Sequence, residues 1–379
     1  MADILLIVIT LNLITIALIA ILNAFTFPRL GKASVALDTP FVSVLIPARN
    51  EQKQIGQTLQ ALSEQNYPRF EVLILDDQST DATPQIIDSF IKHDDRFVTH
   101  LGRALPAGWS GKNWACHQLS EYAKGDILIF TDADVDWTPT AVQSIVNEIQ
   151  ASQSDLTTVW ATQTTITWAE RAVIPLMSMV IMGYLPALAV HHTPFPSLAA
   201  ANGQCMAFRR ESYHRIGGHQ SVKNVIVEDI QLARRIKQAG LRLRMVDGNQ
   251  LIRCRMYHSW DEVRDGFAKN ILAGYGNSIF ALLMATLFHW ALFLMPSLLC
   301  LFALATNHSV LLGWSISWLA LALLIRGLTA QSTHQRLEDS LLLPYSVILM
   351  TIIAIQAIWW DWKHGGPIWK NRTIQREQG

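Results

Sequence analysis

The sequence predicts a mostly parallel α/β sheet domain carried between hydrophobic segments long enough to span a membrane. Three observations carry that reading. Short β-rich runs alternate with stretches of helical spacing across residues 41–131, the pattern of βαβ units. Carboxylate-rich clusters stand where those runs end, and in parallel sheets ligands bind beyond the carboxyl ends of the strands. Finally, the 379 residues are 50% hydrophobic but only 16% charged, against about 25% in an average soluble domain, and the deficit lies at the two ends of the chain.

In chain order, Ile4 to Pro28 holds no charged residue, which at about 1.5 Å per helical residue covers a hydrocarbon core of about 30 Å. Asp3 in place of a basic leader, and an apolar stretch longer than a signal-peptide core, favour an uncleaved anchor over a signal peptide. Arg29 and Lys32 follow, which by the positive-inside rule puts the next domain in the cytoplasm. Phe41 to Ile46 reads as a strand stopped by Pro47, Glu51 to Gln65 as a helix with Ile55, Leu59 and Leu62 on one face, and Phe70 to Leu75 as a second strand. A helix through Ile86, Ile87, Phe90 and Ile91 and a strand from Ile127 to Phe130 complete the predicted pattern. Residues 172–190 are charge-free, but Pro175 and Pro186 make them an awkward span; a helix lying in the membrane interface is expected, with a buried core helix as the alternative. From Ile279 to Ile325 there is no Asp, Glu, Lys or Arg, room for two spans with a turn near Thr306-Asn307-His308. A third runs from Ser340 to Trp360 and ends among Trp359, Trp360 and Trp362, aromatics that favour the interface. The expected division is an anchor at 1–28, a cytoplasmic catalytic domain at 38–270 with 172–196 as the interfacial segment, a membrane region at 279–360 and a basic tail at 361–379. Four spans place both termini outside, whereas Lys363, Lys370, Arg372 and Arg376 against Asp361 and Glu377 favour a cytoplasmic tail; one apolar segment is therefore expected to be re-entrant or interfacial.

The chemistry-bearing residues recur at the strand ends. Asp132 and Asp134 follow Ile127 to Phe130, Asp76 and Asp77 follow Val72 to Leu75, and Glu228-Asp229 opens a helical stretch. Two carboxylates one residue apart suit a divalent cation that shares its oxygen ligands with a diphosphate. Ser79, Thr80 and Asp81 read equally well as turn and helix-cap residues. Lys112 is the candidate for a further phosphate contact; Gly108-Trp-Ser-Gly-Lys112 is not a P-loop, because Pro106 stands where its first glycine is required and Asn113 follows the lysine. Adjacent His191 and His192 point apart, so a loop role is expected rather than a shared metal, and His258 is not expected to join the metal set. Cys116, Cys205, Cys254 and Cys300 are scattered without zinc or disulfide spacing. Net charge is zero, and nothing points to nucleic acid as a partner.

Val42-Ser-Val-Leu-Ile-Pro-Ala-Arg-Asn-Glu51, the Asp76-to-Asp81 turn, Thr131-Asp-Ala-Asp134 and Val227-Glu-Asp229 together resemble the ordered signatures of family 2 glycosyltransferases over roughly residues 40–270. Leu105 to Ala115, Met256-Tyr257, Gly266 to Asn270 and Gly366 to Arg372 are similar to the membrane-bound hopene-associated, carotenoid and ceramide branch. The resemblance implies a GT-A fold binding a nucleotide-sugar, a UDP-sugar first, with Mg²⁺ or Mn²⁺. It implies that Pro47, Ala48, Arg49 and Glu51 line the nucleoside, Glu51 near the ribose, and that Asp77, or Asp76, holds the base. Asp132 and Asp134 meet the nucleotide-sugar and its metal, with Asp134 the direct ligand; Asp229 is the catalytic base, leaving Glu228 structural. Gly203, in Asn202-Gly-Gln204, falls on the acceptor side or merely allows a turn. A membrane lipid acceptor of hopanoid, carotenoid or sphingolipid type, an integral place in a bacterial inner membrane, and an acceptor entrance lined by 172–196 complete the expectation.

Processive relatives carry a Gln-x-x-Arg-Trp motif, and no Arg-Trp pair occurs here, which argues for transfer of one sugar. A polysaccharide or polyprenyl-phosphate sugar product stands as the alternative. A non-catalytic nucleotide-sugar-binding membrane protein would be expected to have a damaged constellation.

Overall fold

A computed structural model describes residues 2–31, 39–369 and 372–373; Lys32, Lys370, Arg376 and Glu377 lie outside the described residues. The chain divides into two compact units, one formed by residues 27–164 and 187–256, the other by 1–26, 165–186 and 257–379.

In the first unit the strands are β1 (Val42–Ala48), β2 (Phe70–Asp76), β3 (Phe97–Leu101), β4 (Ile127–Thr131), β5 (Val135–Trp137), β6 (Leu156–Trp160), β7 (Thr162–Gln163), β8 (Cys205–Arg209), β9 (Leu243–Asp247) and β10 (Ile252–Cys254). Among the described residues seven of them form one sheet in the order β3-β2-β1-β4-β8-β6-β9, with a small sheet β5-β10-β7 beside it. β8 is antiparallel to both neighbours and every other pair in the large sheet is parallel. Continuous apolar runs such as Val44-Leu45-Ile46 and Val72 to Leu75 are buried, as strands covered on both faces must be.

Two boundaries depart from expectation. β1 runs on through Pro47 because its pairing with β4 ends at Leu45, while pairing with β2 continues to Ala48; at this point the proline removes no hydrogen bond to β4. The first helix is Ile55–Ser63, shorter than Glu51 to Gln65. The missing turn is bonded instead to the loop after β2: Asn50 donates to Ser79 Oγ at 2.9 Å, Glu51 to Thr83 Oγ1 at 2.8 Å and Gln52 to Asp81 Oδ2 at 3.2 Å. The half-sheet of β6, β8 and β9 was not anticipated. His191 lies in a helix (Ala187–His192) rather than a loop, and its Nε2 accepts from the Met245 N–H at 3.1 Å.

Among the described residues the second unit holds four runs long and apolar enough to cross a membrane: Leu6–Thr26, Ile279–Ala305, Ser309–Ser332 and Leu337–His364. They carry exposed large apolar side chains, among them Leu11, Leu18, Leu301, Val310 and Ile355. Residues 172–196 are not one element but parts of three helices, Trp168–Val173, Pro175–Tyr184 and Ala187–His192. Met179 on the middle helix is buried with Ile9, Leu13, Trp318 and Ile325, so this helix packs among the apolar ones. Pro186 cannot donate to the Met182 carbonyl; Asn23, fully buried, supplies that bond from Nδ2 at 2.9 Å and a second to the Leu185 carbonyl at 2.8 Å.

Candidate functional site

The site is assembled at the carboxyl ends of β1, β2 and β4. Ala48 ends β1 and its carbonyl accepts from the Asp77 N–H at 2.8 Å. The next residue, Arg49, donates from Nη1 to the Asp77 carbonyl and stands 3.4 Å from the Asp77 carboxylate. Asp76 and Asp77 are both buried, and Asp76 Oδ1 accepts from the Ser79 N–H at 3.0 Å. Asn50 and Gln78, with φ of 53° and 58°, make the two turns that bring these loops together. Asp81 sits in a turn and not at the helix cap, which is Ala82: its Oδ1 accepts from the Thr83 N–H at 3.0 Å.

Beyond β4, Asp132 is an ion-pair partner of Lys112, with 2.8 Å between Oδ1 and Nζ, and the same ammonium lies 3.1 Å from Glu228 Oε1. Lys112 is on the first turn of the helix Gly111–Tyr122, capped by Ser110. The Ser110 N–H donates to the Lys223 carbonyl at 2.7 Å, and Asn113 Nδ2 donates to the carbonyls of Val222 at 2.7 Å and Val225 at 3.0 Å. That anchoring delivers Lys112 to the loop leading into Glu228 and Asp229. Burial opposes the lysine's charge, but Asp132 and Glu228 outweigh it and hold its pKa well above the ordinary lysine value.

Asp229 is gripped by two backbone donors, Gly203 N–H to Oδ2 at 3.0 Å and Ile230 N–H to Oδ1 at 2.8 Å. Burial, and then the charge of Glu228, push its pKa up to about 7. Gly203 is the point of convergence: a Cβ there would stand 3.3 Å from Lys112 Nζ, 3.5 Å from Asp229 Oδ2 and 3.6 Å from Glu228 Oε1. A side chain there would touch all three, with the tightest contact falling on the flexible end of Lys112.

Asp134 meets the opposite situation. Its Oδ1 is buried without a hydrogen-bond partner, and burial, with the charges of Asp132 and Glu51, raises its pKa to about 7. Among the described residues no group of three His, Cys, Asp or Glu side chains is gathered to hold an ion. A buried, unpartnered carboxylate oxygen beside a second carboxylate fits a cation that completes its shell with substrate phosphates and water. His258 belongs to the other unit, where its N–H donates to Glu262 Oε2 at 2.7 Å.

Pro47, Ala48, Arg49, Asp76 and Asp77 thus gather at one pair of loops, and Lys112, Asp132, Gly203 and Asp229 at a second cluster. The charge of Glu51 acts on Asp134, linking the first to the second. Three further residues join the site: Glu228, which the sequence reads as structural, and Asn113 and Cys254, to which it gives no part. Glu228 shares Lys112 with Asp132, Asn113 ties the lysine helix to the 222–225 loop, and buried Cys254 lies against Asp134. Asn113 carried a signal, since it is the residue that breaks the P-loop pattern; Cys254 carried none.

Comparison with known proteins agrees with this geometry. The family described as Glycosyl transferase family 2 matches residues 43–217. The 4,4'-diaponeurosporenoate glycosyltransferase of Staphylococcus aureus strain USA300 is 28% identical over 242 residues, 62% of this chain and 62% of that protein; its counterpart in strain MRSA252 matches to the same extent. The chain thus spans under two thirds of the length of these curated relatives. The structure of the mannosyltransferase PcManGT from Pyrobaculum calidifontis, in complex with GDP-Man and Mn²⁺, is similar with a TM-score of 0.58 at 18% identity, covering 95% of this chain and 99% of that one, a likeness of fold. With the mixed, mostly parallel sheet, these findings show the GT-A type of fold, and the match to the Glycosyl transferase family 2 model covers residues 43–217, just under half of the chain.

Proposed function

We propose that the protein transfers one sugar, with inversion, from a nucleotide-sugar to a hydroxyl or carboxyl group of a membrane lipid, at a catalytic domain facing the cytoplasm. The observation that carries this reading is the convergence at Gly203, where a lysine paired with a strand-end aspartate stands beside an aspartate held by two backbone N–H groups. Asp229 is the base. Its two donors fix the carboxylate, and a lone pair on either oxygen accepts the acceptor hydroxyl's proton as the acceptor oxygen bonds to the anomeric carbon. The bond from that carbon to the diphosphate oxygen breaks in the same displacement, and the electron pair leaves with the diphosphate. Lys112 is placed to receive that charge by exchanging one of its two carboxylate partners for a phosphate oxygen. Arg49 and Asp77, with Pro47, Ala48 and Glu51 around them, serve the nucleoside, and Gly203 keeps the acceptor side open.

Asp134 and Asp132 would hold Mg²⁺ or Mn²⁺, which when bound neutralises charge developing on the diphosphate. A UDP-sugar is the first donor to try; the GDP-Man of the mannosyltransferase neighbour makes a GDP-sugar the second. A carotenoid-like, hopanoid or sphingolipid-like acceptor is proposed from the diaponeurosporenoate-directed relative and the four apolar helices, with the Pro175–Tyr184 helix near the acceptor's path.

The test is transfer of radiolabel from UDP- and GDP-sugars into total lipid by membranes containing wild-type or Asp229→Asn protein, with Mg²⁺ or Mn²⁺ and with EDTA. Label in the organic phase that requires both the metal and Asp229 supports the proposal. Label confined to insoluble polymer replaces it with polysaccharide synthesis. Nucleotide-sugar binding without transfer or hydrolysis, across a broad acceptor panel, replaces it with a binding protein.

A further inference from the structure

The second unit contains a cavity that the transfer chemistry does not use. It offers about 110 Å³ among the Pro175–Tyr184 helix, the helix Trp260–Gly274, the run Ile279–Ala305 and the last long helix, Leu343–His364. Whole small-molecule sites run to about 300–1,000 Å³, so this cavity has room for one end of a ligand and not for all of it. Its described lining is apolar apart from Tyr184, Tyr275, Thr286, His289 and Thr351, and includes no Asp, Glu, Lys or Arg. A phosphate or carboxylate would find no cation there, and burying an unpaired charge is prohibitively costly.

The polar groups sharpen the selection. His289 Nδ1 is 2.7 Å from the Ala285 carbonyl oxygen. A carbonyl can only accept, so this nitrogen carries the hydrogen, and Nε2 of the neutral ring is an acceptor. Tyr184 Oη, 3.3 Å from Nε2, is therefore the donor of that bond. Thr286 donates to the Leu282 carbonyl at 2.8 Å, and Thr351 donates to the Val347 carbonyl at 2.9 Å while accepting from Trp290 Nε1 at 2.8 Å. The hydrogens of Tyr184, His289, Thr286 and Thr351 are thus committed and the Tyr184 oxygen keeps a lone pair, while Tyr275 adds a hydroxyl to the lining that can donate to the same ligand oxygen. Immediately after His289 the helix widens into a single π turn, Trp290–Leu294, a departure from α-helix that is frequent at functional sites. From this geometry we infer that the cavity binds the hydroxyl-bearing, uncharged end of a membrane lipid, whose O–H donates to Tyr184 while its hydrocarbon fills the apolar remainder. The inference concerns binding and goes beyond the transfer reading, because it holds whether or not the bound lipid is the sugar acceptor.

The experiment uses the full chain in phosphatidylcholine vesicles with a long-chain alcohol carrying a diazirine and an alkyne, and with the matching carboxylic acid. After illumination, mass spectrometry of the labelled peptides is expected to place the alcohol in residues 176–184 and 282–293, with the acid labelling these peptides far less. Ala285→Trp fills the cavity and is expected to cut labelling by about tenfold or more, the equivalent of losing one strong contact, while nucleotide-sugar binding stays as in the wild type. Tyr184→Phe combined with His289→Leu, which removes the Tyr184 acceptor and the ring nitrogen its loss would free, is expected to keep the labelled peptides and erase the preference for the alcohol over its methyl ether, a probe of like shape with no hydrogen to donate. Labelling unchanged by Ala285→Trp, label confined to peptides outside residues 176–184, 271–293 and 343–351, or a preference for the alcohol over its methyl ether that survives the double substitution would overturn the inference.

Discussion

At the scale of single residues, the two carboxyls with raised pKa values behave differently because their partners differ. Asp229 has both oxygens satisfied by backbone N–H groups, so its raised value of about 7 reflects burial and Glu228. As a base it works only when ionised, so kcat/KM is expected to climb as pH rises through about 7, which a pH–rate profile at saturating metal will show. Asp229→Asn is expected to lower kcat by about 10²–10⁴-fold, the usual contribution of a general base, with the nucleotide-sugar Kd little changed in a binding assay. Asp134 has a buried oxygen with no partner. Its folded pKa of about 7 exceeds the free carboxyl value of 3.8, so the stability of its neutral form is fully present below about pH 4 and is lost as pH rises through 7. In EDTA, Asp134→Asn is therefore expected to unfold a few degrees above the wild type at pH 8 and level with it near pH 4. Mn²⁺ should raise the Tm of the wild type and not of the variant. Both comparisons come from thermal unfolding scans.

At the scale of elements, the strand ends were legible because β2 and β4 are apolar runs closed by acids and β1 is one interrupted by Pro47. β6, β8 and β9 were not. Leu-Thr-Thr-Val-Trp and Cys-Met-Ala-Phe-Arg lack alternation, and although Asn202-Gly203 marks a turn before β8, pairing across the sheet is what makes them strands. Glycine at 125 shows how tightly the elements meet. A Cβ there would overlap the Ser43 nitrogen and lie 2.7 Å from the Ile127 carbonyl oxygen, at the point where the Gly125 N–H donates to Ser43 Oγ at 2.7 Å. Gly125→Ala is expected to destabilise the first unit by about 1–3 kcal/mol, the cost of overpacking, measured by denaturant unfolding. The broken course of residues 172–196 was half legible: the two prolines announced the interruptions, but not the burial of Met179 among the long apolar helices.

At the scale of the whole molecule, the two units are each stitched from distant pieces of sequence. Asn23 illustrates what holds one together, replacing with its side chain the hydrogen bond that Pro186 cannot make. Asn23→Leu leaves the Met182 and Leu185 carbonyls without that donor, and a buried unsatisfied group costs about 1–3 kcal/mol. The variant is expected to lose that much stability in detergent, read as a lower midpoint of unfolding.

By itself the sequence determined the class of sheet, the strand-end acids and the apolar runs, because each is encoded in residues close together in the chain: an apolar stretch, its terminating carboxylates, a span's length without charge. Only the tertiary structure decided which partners each acid meets. Lys112 meets Glu228 across more than a hundred residues, Gly203 comes to Asp229 through a loop from another strand, and Asp134 is left with a buried, unpartnered oxygen. Burial and long-range pairing set the charge state of a carboxyl, and neither is a property of its neighbours in sequence.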